Sequence, residues 1–184
     1  MRLRVAALLA AFALSVWLRV VVGGDVVAQS LTAGLVFGAC LLVLTVASGT
    51  RVPVSRNAVL AGLVGAAVVC TPVGLQQLLT FQPVHGTEGF ARWAAVVVVV
   101  ATAEEVFLRG ALYDAVEDLA GAPAAVGVGA VCFALLHVPL YGWHVLPLDL
   151  AVGVVLGGLR QGTGTPAAPA VTHVGADLVG WFLR

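Results

Sequence analysis

The 184-residue chain contains no lysine; all nine basic residues are arginines. Charged residues make up only 10% of it, where soluble domains carry about 25%. That is too little charge to coat a water-soluble globule, so the soluble class is excluded. Nine acidic residues balance the arginines, and a net charge of zero gives no argument for a nucleic-acid partner. Cysteine is scarce as well. Cys40, Cys70 and Cys132 are odd in number, scattered, and set in apolar runs, which excludes a disulfide framework and reads as small buried apolar residues. There is no internal repeat, no soluble domain and no linker long enough to separate domains. Residues 1–184 therefore read as a single membrane domain.

What is present is apolar: 61% of the residues are hydrophobic and the mean hydropathy is +1.08. A membrane-crossing helix needs about 20 predominantly apolar residues. Seven stretches come near this length: Val5 to Val22, Leu31 to Ala47, Ala58 to Leu79, Phe90 to Tyr113, Ala124 to Leu140, Val145 to Leu159 and Ala167 to Leu183. The expected fold class is all-α, a polytopic membrane bundle of about seven transmembrane helices. Residues 1–22 begin with Arg2 and Arg4 like a signal peptide, but no small-residue cleavage site follows, so a retained first span is expected. Pro72 is expected to kink the third span. Asp114 to Pro123 reads as an acidic turn and Arg160 to Pro166 as a Gly/Thr loop.

Orientation follows arginine placement. With the N-terminus inside, Arg2, Arg4, Arg51, Arg56 and Arg160 face the cytoplasm, against Arg19, Arg92 and Arg184 on the other side. Trp17, Trp93, Trp143 and Trp181 then all fall at the outer interface, as an aromatic belt should. The abundance of Ala, Val, Gly and Arg points to a GC-rich prokaryotic gene. The expected location is a prokaryotic plasma membrane, multi-pass, with the lipid bilayer as constant partner.

Against this background Ala101-Thr102-Ala103-Glu104-Glu105-Val106-Phe107-Leu108-Arg109 stands out. A charge at the bilayer centre costs at least about 2.5 kcal/mol on insertion scales, so three together mark a functional site. Glu105 and Arg109 are four apart and share a helix face, where they can pair. Glu104 is rotated about 100° away and faces elsewhere. An ion pair that only fixes helix packing would need one glutamate, not two. Phe133 and His137 are four apart on the fifth span, and His173 and Asp177 on the seventh. A lone histidine in an apolar helix is usually a hydrogen-bonded packing residue. Two on different helices beside a spare glutamate are groups that activate water, with or without a metal.

Glu104-Glu105-x-x-x-Arg109, Phe133-x-x-x-His137 and His173-x-x-x-Asp177 together resemble the CPBP family of intramembrane proteases, which includes the CAAX-prenyl endopeptidases and bacterial abortive-infection and bacteriocin-immunity proteins. The motifs fall within about residues 90–184, a motif-bearing protease core; the first three spans carry no family residue. The resemblance implies helices around a hydrophilic cavity and peptide-bond hydrolysis in a peptide or protein substrate in or at the membrane. It implies Glu104 as general base, His137 as the group orienting or activating the water, and His173 and Asp177 on the oxyanion side. It also implies Arg109 as the residue holding Glu105.

The family's motif has Asn or Asp at the position of Asp177, and an amide there can donate to an oxyanion. A carboxylate donates to an oxyanion only when protonated, so orienting His173 and helping to bind a metal stand beside that role. Glu104, His137 and His173 are candidate zinc ligands. The His-Glu-x-x-His helix of soluble zinc proteases is absent, so a zinc cofactor is compatible with the sequence and not demanded by it. Arg19 reads as a snorkelling side chain, and His85, Glu88, His144 and Asp149 as loop or helix-end residues. By helix rise, Glu104 lies about 16 Å below Trp93, His173 about 9 Å above Ala167 and His137 about 20 Å above Ala124. On that count the three do not meet at one depth. Two rival functions use the same groups: a small transporter or proton relay, and a non-catalytic membrane scaffold.

Overall fold

The computed structural model describes residues 1–80 and 86–183, with the side chains of 73 and 76–80 outside that description; His85 and Arg184 are likewise outside it. Helix forms at every one of the seven expected spans, and no strand occurs among the described residues. The helices are α1 Arg2–Gly23, α2 Leu31–Ala47, α3 Arg56–Thr80, α4 Phe90–Val106, α5 Tyr113–Ala120, α6 Ala122–Tyr141, α7 Leu146–Thr163 and α8 Ala167–Phe182. A π-helical stretch, Phe107–Leu112, joins α4 to α5 without a break. The architecture is an all-α bundle. Among the described residues, three helical segments, Arg2–Val26, Ala122–Tyr141 and Trp143–Thr163, are long and apolar enough to cross a membrane, and Leu31–Ala47 and Arg56–Pro72 are shorter apolar helices.

Two boundaries differ from expectation. Asp114 to Ala120 is helix rather than turn, and the chain breaks only at Gly121, whose φ of 85° suits glycine. The reason is pairing: Arg160 Nη2 donates to Asp114 Oδ1 at 2.8 Å, so an acidic stretch that looked solvated is tied to the bundle. Arg160 to Thr163 likewise continues α7, ending at Gly164 with φ 70°.

Packing depends on close backbone approach. Helices α6 and α7, α3 and α8, α2 and α4, and α4 and α8 lie side by side. A Cβ on Gly153 would come within 2.7 Å of Ala130 Cα, and one on Gly157 within 2.9 Å of Val126, so α6 and α7 can touch only because these positions are bare. A Cβ on Gly62 would meet Ala168 O at 2.6 Å, and Thr172 Oγ1 donates to Gly62 O at 2.9 Å, which sets α8 against α3. With little hydrophobic drive between helices in lipid, such small-residue contacts and buried hydrogen bonds decide the crossings. They also place His173, next to Thr172, and the α7 backbone at Gly153 beside α4.

Candidate active site

Glu105 sits in a dry cluster. Arg109 Nη1 donates to Glu105 Oε1 at 2.8 Å, and the two side chains are 1% and 0% exposed. Arg109 Nη2 donates to Gly153 O at 3.2 Å, a contact the bare glycine admits. His173 Nδ1 lies 3.0 Å from the same Glu105 oxygen. One carboxylate oxygen thus takes both a guanidinium on its own helix and an imidazole from α8. The expected Glu105–Arg109 pair is present. Its link to His173 was not visible in the sequence.

Phe133 is the platform of this cluster. The Arg109 guanidinium lies 4.9 Å from its ring centroid, the His137 ring 4.6 Å from it, and the His173 ring 5.2 Å from it at 75°. The motif position that looked least chemical therefore touches all three cationic or imidazole groups. The π-helical stretch carries Arg109, and Arg160 Nε donates to its carbonyl at 2.8 Å. Interruptions of this kind release carbonyls from the regular ladder and recur at functional sites.

Glu104 points elsewhere, as its rotation predicts. It lines a cavity of about 900 Å³ together with Phe133, His137, His173 and Asp177, so helical packing brings all four candidate catalytic residues to one space. His137 lies four residues from the end of α6, and Phe133, a turn deeper, contacts both histidines. No hydrogen bond joins Glu104 to either histidine among the described residues. Its charge partner is instead Arg19 of α1, with Nη1 3.5 Å from Oε1. Arg19 was expected at the headgroups; the fold turns it inward.

His137 Nδ1 is 2.8 Å from Phe133 O, and a carbonyl only accepts, so Nδ1 carries the proton and Nε2 of the neutral ring holds a lone pair. Asp149 Oδ2 lies 3.9 Å from the same Nδ1, is buried without a hydrogen-bond partner, and lines the cavity. Its expected role at a helix start understated it. Asp177 Oδ2 is 3.6 Å from His173 Nε2, which fits orientation of that ring better than an oxyanion contact. As a zinc set the residues do not fit: among the described residues, no three His, Cys, Asp or Glu side chains are grouped to hold a metal. His173 Nδ1 is committed to Glu105, and His137 Nδ1 to Phe133.

The cavity's upper lining is Gln29, Ser30, Gly89, Arg92, His144 and Trp181, all from helix ends or turns at the end of the bundle opposite the N-terminus. Trp93 and Trp181 pack there at 4.7 Å.

Buried carboxylates and imidazoles around a cavity in an apolar helical bundle define an integral membrane protein with the groups of a hydrolytic site. A family model described as type II CAAX prenyl endopeptidase Rce1-like matches residues 86–179, just over half of the chain, and the chain belongs to that family of intramembrane CAAX-type endopeptidases. No curated protein and no solved structure matches it. The matched segment holds all three motifs, as the resemblance to CPBP proteases implied. It begins after α1, α2 and α3, so Arg19 of α1 lies outside it.

Proposed function

We propose that the protein hydrolyses a peptide bond of a membrane-associated substrate with a water activated by Glu104. The observation that carries this reading is the opposed setting of the two glutamates. Glu105 is locked in a dry pair at 2.8 Å, while Glu104 lines the cavity with His137 and His173. In this reading water lies between Glu104 and the Nε2 lone pair of His137. Glu104 takes the proton as the water oxygen bonds to the scissile carbonyl carbon. The tetrahedral intermediate then collapses with loss of the amine, to which Glu104 returns the proton. His173 Nε2, when protonated, donates to the oxyanion; Asp177 keeps the ring turned toward the cavity. Every step is carried by the chain's own residues.

The cavity lies in the range that takes a short peptide segment, about 300–1,000 Å³. A prenylated C-terminal cysteine peptide is the substrate class the family description suggests. With the N-terminus inside, the mouth opens on the outer face. The residues 1–184 act as one membrane domain, and 90–184 carry the chemistry. The family assignment favours this reading over a transporter or a scaffold. The test uses purified protein in detergent with quenched-fluorescent peptides, with and without a farnesylated cysteine. Cleavage by wild type and none by Glu104→Gln supports the reading; a Glu104→Gln protein that cleaves at the wild-type rate ends it.

A further inference from the structure

Arg19 lies on α1, 67 residues before the start of the family-matched segment at 86, yet its guanidinium lines the same cavity as the motif residues. We propose that Arg19 is a positioning residue for Glu104, supplied to the active site by the N-terminal helices. The proposal rests on the reading of Glu104 as general base.

Three observations carry it. First, Arg19 Nη1 is 3.5 Å from Glu104 Oε1, in side chains only 12% and 4% exposed, so the pair is enclosed rather than a solvated surface contact. Second, the guanidinium is itself held. It sits 4.9 Å from the centroid of the fully buried Phe37 ring on α2. Phe37 packs on Phe12 at 6.5 Å, and Phe12 stacks on Phe107 at 5.7 Å and 8°. Phe107 follows Glu104 by three residues in the same continuous helix. The contacts therefore close a ring, Glu104–Arg19–Phe37–Phe12–Phe107, that returns to the helix it left. The guanidinium gives up its cation–π contact with Phe37 if it turns away, and buried aromatic packing holds that ring in place.

Third, the contact is looser than its neighbour. Arg109 grips Glu105 at 2.8 Å; Arg19 stands off Glu104 at 3.5 Å through a single nitrogen. A carboxylate held at short range by a guanidinium is committed. A longer contact is the weaker one, so Glu104 is less tightly tied to its guanidinium than Glu105 is. The two pairs are built for different ends.

The experiment compares Arg19→Gln, Arg19→Lys, Glu104→Gln and the double variant Arg19→Gln/Glu104→Gln, each as the full chain in detergent, on the farnesylated quenched peptide and by thermal melting. A misaimed base loses turnover, so Arg19→Gln is expected to lower kcat about 10²-fold with KM changed less than about threefold. Arg19→Lys keeps the charge but not the ring-stacked plane, and is expected to recover to within about tenfold of wild type. In melting, the double variant's loss is expected to fall short of the sum of the singles by about 2–4 °C. Wild-type kcat in Arg19→Gln, a loss confined to KM, or strictly additive melting losses overturn the proposal. Should Arg19→Gln fail to fold, Arg19→Met, similar in length and uncharged, takes its place with the same expectation. If Glu104→Gln cleaves normally, it is the general-base reading that falls, and the melting comparison still decides whether the pair exists.

Discussion

Glu104 and Glu105 are neighbours in the chain and live in different media. Glu105 faces a cluster closed by Arg109, His173 and Phe133, with 0% exposure and a 2.8 Å ion pair. Glu104 faces the cavity, with one cation at 3.5 Å. A helix turns 100° per residue, so one step is enough to divide structure from chemistry. The comparison teaches that the doubled glutamate is not redundancy. Breaking a buried charge pair on one side is costly, and the shorter, drier pair at Glu105 is the costlier of the two to break.

The comparison can be broken most severely at Glu104. Glu104→Gln is expected to lower peptide cleavage by about 10²–10⁴-fold, the worth of a general base, with a smaller fall in melting temperature in detergent than Glu105→Gln gives. Glu105→Gln should invert this pattern. It leaves Arg109 charged and unpaired in a dry site, at a cost of about 3–5 kcal/mol, read as a large fall in melting temperature and loss of monodisperse protein. If Glu105→Gln melted like wild type and Glu104→Gln did not, the two environments would be assigned the wrong way round.

Gly153→Ala probes the wall between them. Its Cβ would collide with Ala130, separate α6 from α7 and pull the Gly153 carbonyl from Arg109. An overpacking loss of about 1–3 kcal/mol is expected by thermal melting. The smallest effect is expected from Asp177→Asn. An amide oxygen can still accept from His173 Nε2, so kcat/KM should change less than about tenfold. A larger loss would mean that Asp177 needs its charge, and that it acts on the reaction rather than through the ring.

Much of the local picture could be read before the fold. The seven apolar stretches became helices, and the four-residue spacing of Glu105 and Arg109 became an ion pair, because both depend on contacts within one helix. The places that escaped are contacts between helices. Arg19 looked like a headgroup anchor because it stands four residues from the end of α1, and only the rings of Phe37, Phe12 and Phe107 show why it turns inward. Asp149 looked like a helix-start residue; the α6–α7 contact sets it 3.9 Å from His137. Phe133 looked like a motif letter and proved to be the surface that Arg109, His137 and His173 share. The zinc set Glu104, His137 and His173 was compatible as a list of residue types, but does not gather as ligands.

By itself the sequence determined the medium, the helical class and the angular separation of the two glutamates. These follow from composition and from 3.6 residues per turn, which hold wherever the helix lies. Tertiary structure alone decided which partner each glutamate meets from another helix: Arg19 across 85 residues and His173 across 68. The His173 pairing depends on how closely α8 approaches α3 at Gly62, the Arg19 pairing on the aromatic packing of α1 and α2, and helical periodicity carries no information about the distance between two helices.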